Sequence, residues 1–400
     1  MTCFADLPSE VVDSVLENLD QESLSSTAIV ASPLQYPSER LMYRTARFRL
    51  LSGQSSERRL VPTQGAFLRT VSRSERRAGH VTLLSLQKIE YEDEERDRRL
   101  HELERAMRLM VNLKKLSIIG MEYIRRAHLE SSTFKLVHLA LHAACPPFLP
   151  YPSEILLPIL KAHPGLRSLS LPGVWDLTKA DALALEEQKS ESGGQNPHAV
   201  VCPGLEYIES HGEEVLQTLL VGRRVKHMIL DRGTEEAGRK WGSPSMLPTY
   251  RHLKSLVLYD SADTISDNLL PFPMARALIS LTRLNVVTNA AVYGRPAMRS
   301  YTPNTLILSI VQIRTLESLT LSSDPRWSTS ILEENDLVRY IYKSCPNLKE
   351  AFVQRSPGSR QSHAHYGAGG KLVGVVGRHE STKMDLDSTR LFLRIQYSDS

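Results

Sequence analysis

The sequence predicts an α/β chain: a small N-terminal helical module, then a solenoid that adds one helix and one parallel strand per repeat. Three observations predict it. An apolar-x-x-apolar-x-apolar pattern recurs ten times between Val81 and Val353. Helix-spaced apolar residues fill positions 1–50. The composition, 41% hydrophobic and 24% charged, is that of a chain able to bury a core.

Composition also excludes whole classes of function. Of the 400 residues, 49 are Lys or Arg and 45 are Asp or Glu, so the net charge of +4 gives no global drive toward nucleic acid or membrane. The longest stretch free of these four residues, Leu136 to Ser153, holds four prolines. It falls short of the roughly 20 apolar residues that a membrane-crossing helix needs. No signal peptide is expected, because Asp6 and Glu10 interrupt the apolar start. Cys3, Cys145, Cys202 and Cys345 form no CxxC pair, which argues against a disulfide scaffold. A reducing compartment, cytoplasm or nucleus, is the expected location.

Within residues 1–50, Pro8 suits the first turn of a helix, where its missing N–H has no intrahelical partner. Val11, Val12, Val15, Leu16 and Leu19 follow at helical spacing. Asp20 is placed to cap a second helix with Leu24, Ala28, Ile29 and Val30 on its apolar side, and Ser32-Pro33 stops it. A third segment carries Leu41, Tyr43, Phe48 and Leu50. So short a module cannot build a stable core alone. Its stripe needs a cover, either the next domain or another protein.

The order of residues adds to this. Leu7-Pro8-x-Glu10-Val11, Val15-Leu16, Leu19-Asp20, Leu24 and Val30 together resemble the F-box motif. Pro37-x-Glu39-Arg40-Leu41-x-Tyr43-Arg44 resembles the stretch that follows it in many fungal F-box proteins. The family's usual Cys-Arg-x-Trp-like end to the second helix is replaced by Ala31-Ser32-Pro33-Leu34. The resemblance implies a three-helix F-box-like bundle that docks the Skp-type adaptor of a cullin-RING ubiquitin ligase. By the same resemblance the adaptor contacts would be Leu7, Pro8, Val11, Val15, Leu16, Leu19 and Leu24.

Residues 51–79 read as a basic linker. Positions 39–80 hold ten arginines against three glutamates, and 90–104 hold eight acids against three arginines. The basic run reads either as a phosphate-binding patch or as a linker paired with the acidic helix nearby; aromatic residues for base stacking are sparse. From 80 to 355 come the repeats, opening at Val81, Leu113, Leu136, Leu166, Leu205, Val225, Leu253, Leu281, Leu316 and Leu348. Alternating cores such as Leu116-Ser117-Ile118 read as strands. Helices are predicted at 92–110, 154–162, 213–221, 275–279, 305–313 and 335–343. One helix and one strand per repeat make a solenoid lined by a parallel sheet. The pattern resembles the irregular leucine-rich repeats of F-box proteins. The family's Asn or Cys after the repeat leucines is mostly missing, with only Cys145 and Asn289 near it. An uneven solenoid without regular backbone ladders is therefore expected. Any function falls to side chains between the leucines: Lys114, Lys115, Ser117, Arg167, Ser168, Arg251, Lys254, Glu317 and Ser318.

Residues 186–199 read as a loop, and 356–400 as a Gly/Ser/His linker followed by a capping segment, with strands at Leu372–Val376 and Leu391–Ile395. His363-x-His365 lacks further metal ligands at useful spacing, so a surface loop is expected. Gly367 to Lys371 lacks the phosphate-loop spacing. No catalytic motif is present and no cofactor or metal is called for. The expected function is that of a non-catalytic substrate-recognition subunit of an SCF-type ligase, holding the adaptor through the bundle and a target protein through the repeats. The alternative is a repeat scaffold without ligase engagement.

Overall fold

The computed structural model describes residues 7–30, 32–48, 57–87, 93–119, 132–142, 153–171, 201–210, 219–220, 222–231, 247–260, 270–288, 303–322, 331–355 and 362–377. The chain divides into two compact units, Met1–Leu205 and Glu206–Ser400.

The first unit opens with α1 (Ser9–Glu17), α2 (Gln21–Val30) and α3 (Ser32–Arg44). Pro8 is the residue before α1, and its carbonyl accepts the N–H groups of Val11 and Val12. Val12, Leu16 and Leu24 form the bundle core, with Leu19, Leu34, Leu41 and Met42 packed around it. Asp20 caps α2: the Ser23 N–H donates to its carboxylate at 2.7 Å, which lowers the pKa of Asp20. Two readings change. Ile29 and Val30 are highly exposed, not part of the buried side. At about 100° per residue they stand roughly 140° and 240° from Leu24. Ser32-Pro33 does not only end α2; it begins α3, where a first-turn proline sacrifices no hydrogen bond.

Residues 57–80 are not a linker. They form α4 (Glu57–Ser72) and α5 (Glu75–His80). The repeat array also starts before position 50. Strand β1 (Thr45–Arg47) pairs in parallel with β2 (Leu83–Gln87), matching Ala46 to Leu84. Tyr43, Ala46 and Phe48 are therefore an eleventh copy of the pattern, written in tyrosine, alanine and phenylalanine. Strands β3 (Lys115–Ile119), β4 (His138–His142) and β5 (Ser168–Leu171) extend the parallel series in chain order. Helix α6 (Asp93–Leu109) buries Leu103, Ala106 and Met107, and α7 (Ser153–Ala162) buries Ile159 and Leu160.

The second unit repeats the scheme. Strands β6 (Tyr207–Ser210), β7 (His227–Asp231), β8 (Ser255–Asp260), β9 (Arg283–Thr288), β10 (Ser318–Ser322) and β11 (Glu350–Arg355) are parallel neighbours in chain order. Between them run α8 (Leu247–Tyr250), α9 (Phe272–Ala277), α10 (Pro303–Ile310) and α11 (Ile331–Ser344). The helix predicted at 213–221 lies mostly outside the described residues.

Every apolar residue of the ten recognised copies is buried, from Val81, Leu84 and Leu86 to Leu348, Ala351 and Val353. Burying one such side chain contributes about 1.5–3 kcal/mol. The expectation of missing ladders is overturned. In eight of the ten recognised copies, the carbonyl one residue after the first apolar position accepts two N–H groups from the next repeat. Thr82 O takes those of Lys114 and Lys115, Lys114 O those of Val137 and His138, and Val137 O those of Arg167 and Ser168. In the second unit the series runs through Glu206, Lys226, Lys254, Thr282 and Glu317. The ladder is main chain to main chain, so it needs no asparagine. Where Asn stands just before the leucine it adds a rung: Asn112 Nδ2 donates to Gly79 O at 2.7 Å, and Asn347 Nδ2 to Arg314 O at 2.9 Å.

Past β11 the direction changes. β12 (Ser362–Gly367) and β13 (Lys371–Gly377) form an antiparallel hairpin on β11. The stretch expected as a linker is thus partly strand, and the two histidines lie in β12 rather than in a loop. The expected strand at Leu372–Val376 falls within β13; the one at Leu391–Ile395 is outside the described residues, as are residues 186–199, Cys3, Cys145, Asn289 and Leu50.

Candidate functional site

The seven residues proposed as adaptor contacts divide into two groups. Leu16 and Leu24 are 1% and 7% exposed and belong to the bundle core with Val12. They pack inside the bundle and are not part of its surface. Leu19 is half-buried beside them. Leu7, Pro8, Val11 and Val15 are exposed, the three apolar side chains by 38%, 44% and 42%. Their spacing of four residues puts Val11 and Val15 in one row along α1, next to the buried row of Val12 and Leu16, while Leu7 stands just before the helix. Ile29, Val30 and Tyr36 add exposed apolar surface on α2 and α3.

The stretch from Pro37 to Arg44 is an internal joint. Arg40 pairs with Asp13 at 2.5 Å and Arg44 with Glu17 at 3.2 Å, tying α3 to α1. Glu39 is buried and accepts from both Arg76 and Arg77, the latter at 2.9 Å. Two guanidinium partners offset the cost of taking that carboxylate out of water. Tyr43 stacks on Phe67 of α4, and Phe67 meets Phe48 at 5.3 Å. The Arg44 carbonyl accepts from the Thr82 N–H and hydroxyl at 3.0 Å, continuing the ladder into β2. The helical bundle and the first repeat are thereby one packed body. Sequence reading missed this use of the stretch; the signal was the facing charges of Glu39 and the Arg76-Arg77 pair.

The residues flagged between the leucines are scattered along the two units. Lys115 and Ser168 share a row through His138 in β3, β4 and β5. Lys114 and Arg167 stand exposed at the strand entrances. Ser117 lies in a row of small residues with Ser85, Ala140 and Ser170. In the second unit Arg251 and Lys254 are exposed before β8. Glu317 bonds Lys349 at 2.8 Å, and the Ser318 hydroxyl donates to Glu350 at 2.8 Å. On the sheet face away from the leucines, Tyr207 of β6, Ile229 of β7 and Val257 of β8 are buried together. Further on, His365 stacks on Phe352 at 4.5 Å.

Among the described residues no group of three His, Cys, Asp or Glu side chains is arranged to hold a metal. Cys202 is buried, with its thiol 3.5 Å from the carbonyls of Leu160 and His163. Burial pushes the Cys345 thiol up to about 11, leaving little thiolate near neutral pH. Among the described residues no helix is long and apolar enough to cross a membrane.

No family model matches the chain, and no curated protein matches it significantly. Among solved structures it is similar to the leucine-rich repeat-containing protein LegL7 from Legionella pneumophila. The TM-score is 0.39 at 13% identity, covering 79% of this chain and 92% of that one. It is also similar to TLR13, solved as the TLR13–ssRNA13 complex, with a TM-score of 0.36 and 12% identity over 72% of this chain and 38% of that one. Such scores carry no argument of their own. The leucine-rich-repeat architecture of each unit stands on the parallel register, the buried leucines and the carbonyl ladder.

Proposed function

We propose that the chain is the substrate-recognition subunit of a cullin-RING ubiquitin ligase. The observation that carries this reading is the exposed pair Val11 and Val15 on α1, with exposed Leu7 just before the helix, on a bundle packed against the first repeat through Glu39 and Tyr43. An amphipathic helix offering apolar side chains four residues apart is suited to a partner's apolar groove. The Skp-type adaptor is the groove-bearing partner that the F-box resemblance implies. The repeats then present strand side chains to a target protein. In this role the chain performs no chemistry: it raises the effective concentration of target lysines near the ubiquitin-charged enzyme and fixes their orientation. A packed joint between bundle and repeats serves that task better than a flexible linker.

The test is capture of the adaptor by Val11→Asp/Val15→Asp. Both residues are more than two-fifths exposed, so the variant is expected to keep its circular dichroism and lose the adaptor by at least tenfold. Retention of wild-type capture would place docking elsewhere. Leu16→Asp is unsuitable as a contact probe, because a charge at that core position unfolds the bundle. One observation favours the scaffold reading instead: Ala31-Ser32-Pro33-Leu34 stands where the F-box family usually has a Cys-Arg-x-Trp-like end to its second helix. A folded chain that ignores the adaptor would establish that alternative.

A further inference from the structure

Three arginines converge where α4 turns into α5. Ala66, Arg69 and Thr70 lie on α4, Arg73 stands in the turn just after it, Ser74 is the N-cap of α5, and Arg77 lies on α5. Together they line an open cleft of about 490 Å³. Arg77 is held in place: it donates to Glu39 at 2.9 Å and lies 5.6 Å from the centre of the Tyr43 ring. Arg69 and Arg73 are exposed, and neither guanidinium has an ion pair or hydrogen bond among the described residues. Both line the same cleft, one from the last turn of α4 and one from the turn after it. Arg77 has Glu39 as its counter-charge, and among the described residues Arg69 and Arg73 have none.

The neighbouring hydroxyls differ in what they offer. Thr70 already donates its proton to Ala66 O at 2.8 Å. Ser74 accepts the Arg77 N–H at 3.4 Å, so its own proton remains available to a ligand. Ala66 keeps the wall of the cleft low. Among the described residues no aromatic side chain lines it; Tyr43 and Phe67 are stacked on each other instead. A nucleobase would find nothing to stack on, whereas planar guanidinium forks with a hydroxyl donor match a compact oxyanion.

We infer that the cleft between α4 and α5 binds a phosphate monoester, gripped by Arg69 and Arg73 with Ser74 as a further donor and Arg77 as the fixed wall. Phosphoserine or phosphothreonine on a protein and a free phosphorylated small molecule share this chemistry. The inference uses neither the α1 row nor the adaptor, so it stands or falls separately from the ligase reading.

The test is calorimetric titration of the full chain with inorganic phosphate, O-phosphoserine, a Gly/Ser peptide bearing one phosphoserine, the same peptide unphosphorylated, and a short single-stranded DNA. Phosphate and O-phosphoserine are expected to bind and to compete, and the unphosphorylated peptide to be silent. Arg69→Gln/Arg73→Gln should weaken binding at least tenfold with unchanged circular dichroism. Arg73→Lys, which keeps charge but loses the fork, should fall between. A phosphopeptide that outbinds inorganic phosphate supports a phosphoprotein ligand; equal affinity supports a small free one. Absence of binding, binding that survives the double variant, or DNA that O-phosphoserine cannot displace would each overturn the site.

Discussion

His163 lies flat against Phe134, ring centres 5.6 Å apart, and its Nδ1 accepts the Leu136 N–H at 3.4 Å. Burial, helped by the Lys135 charge, pushes its pKa down to about 4; burial does the same to His227. In the unfolded chain both titrate near 6.5. Between those values the unfolded chain carries more protons, so stability falls as pH drops below 6.5 and the loss is complete below about 4. His163→Gln, which retains an acceptor for Leu136, should flatten the difference in urea midpoint between pH 7 and pH 5. The pH-linked loss it removes is at most about 3 kcal/mol. Gly370 makes a second residue-scale case. Its φ is +71°, and an added Cβ would stand 3.2 Å from the Tyr342 ring. That tyrosine donates to Tyr366 O at 2.8 Å and joins α11 to the terminal hairpin. Gly370→Val should cost about 1–3 kcal/mol in thermal unfolding and raise hydrogen exchange in β12.

At the scale of elements, the joint between α3 and α5 decides how the bundle is held. Glu39→Gln removes the charge that two arginines share, leaving Arg77 half-buried without it. A loss of about 1–3 kcal/mol is expected, seen first as faster exchange in α3 and α5. Legibility in the sequence divides along physical lines. The buried row Val12 and Leu16 and the Asp20 cap were readable, because helical period and capping are local. The copy at Tyr43, Ala46 and Phe48 was hidden, because a search for leucines passes over an alanine that pairs with Leu84. The α4 and α5 helices were hidden by their arginines, which read as a linker until Glu39 is brought opposite them. The ladder was misjudged because side-chain composition says nothing about carbonyls that bond main chain to main chain. Of the candidate contacts, Leu7, Pro8, Val11 and Val15 are exposed, while Leu16 and Leu24 face inward. Period alone locates a stripe without saying which of two adjacent rows the bundle keeps for itself.

At the scale of the whole molecule, a repeat array is only as stable as its ends. The β12–β13 hairpin covers the last parallel strand, and Tyr342 and Tyr366 fasten it. Removing residues 356–400 would bare the β11 edge, and an uncovered strand edge invites pairing with another chain. Light scattering of the truncated chain should show self-association that the full chain lacks. The proposed role asks the molecule to do two things: present the α1 row to an adaptor and the repeats to a target. The most direct measurement is coexpression with a Skp-type adaptor, then size exclusion with mass determination. A stable one-to-one complex is expected. A folded chain that elutes alone, with the adaptor in a separate peak, would contradict the ligase role and leave a leucine-rich-repeat scaffold.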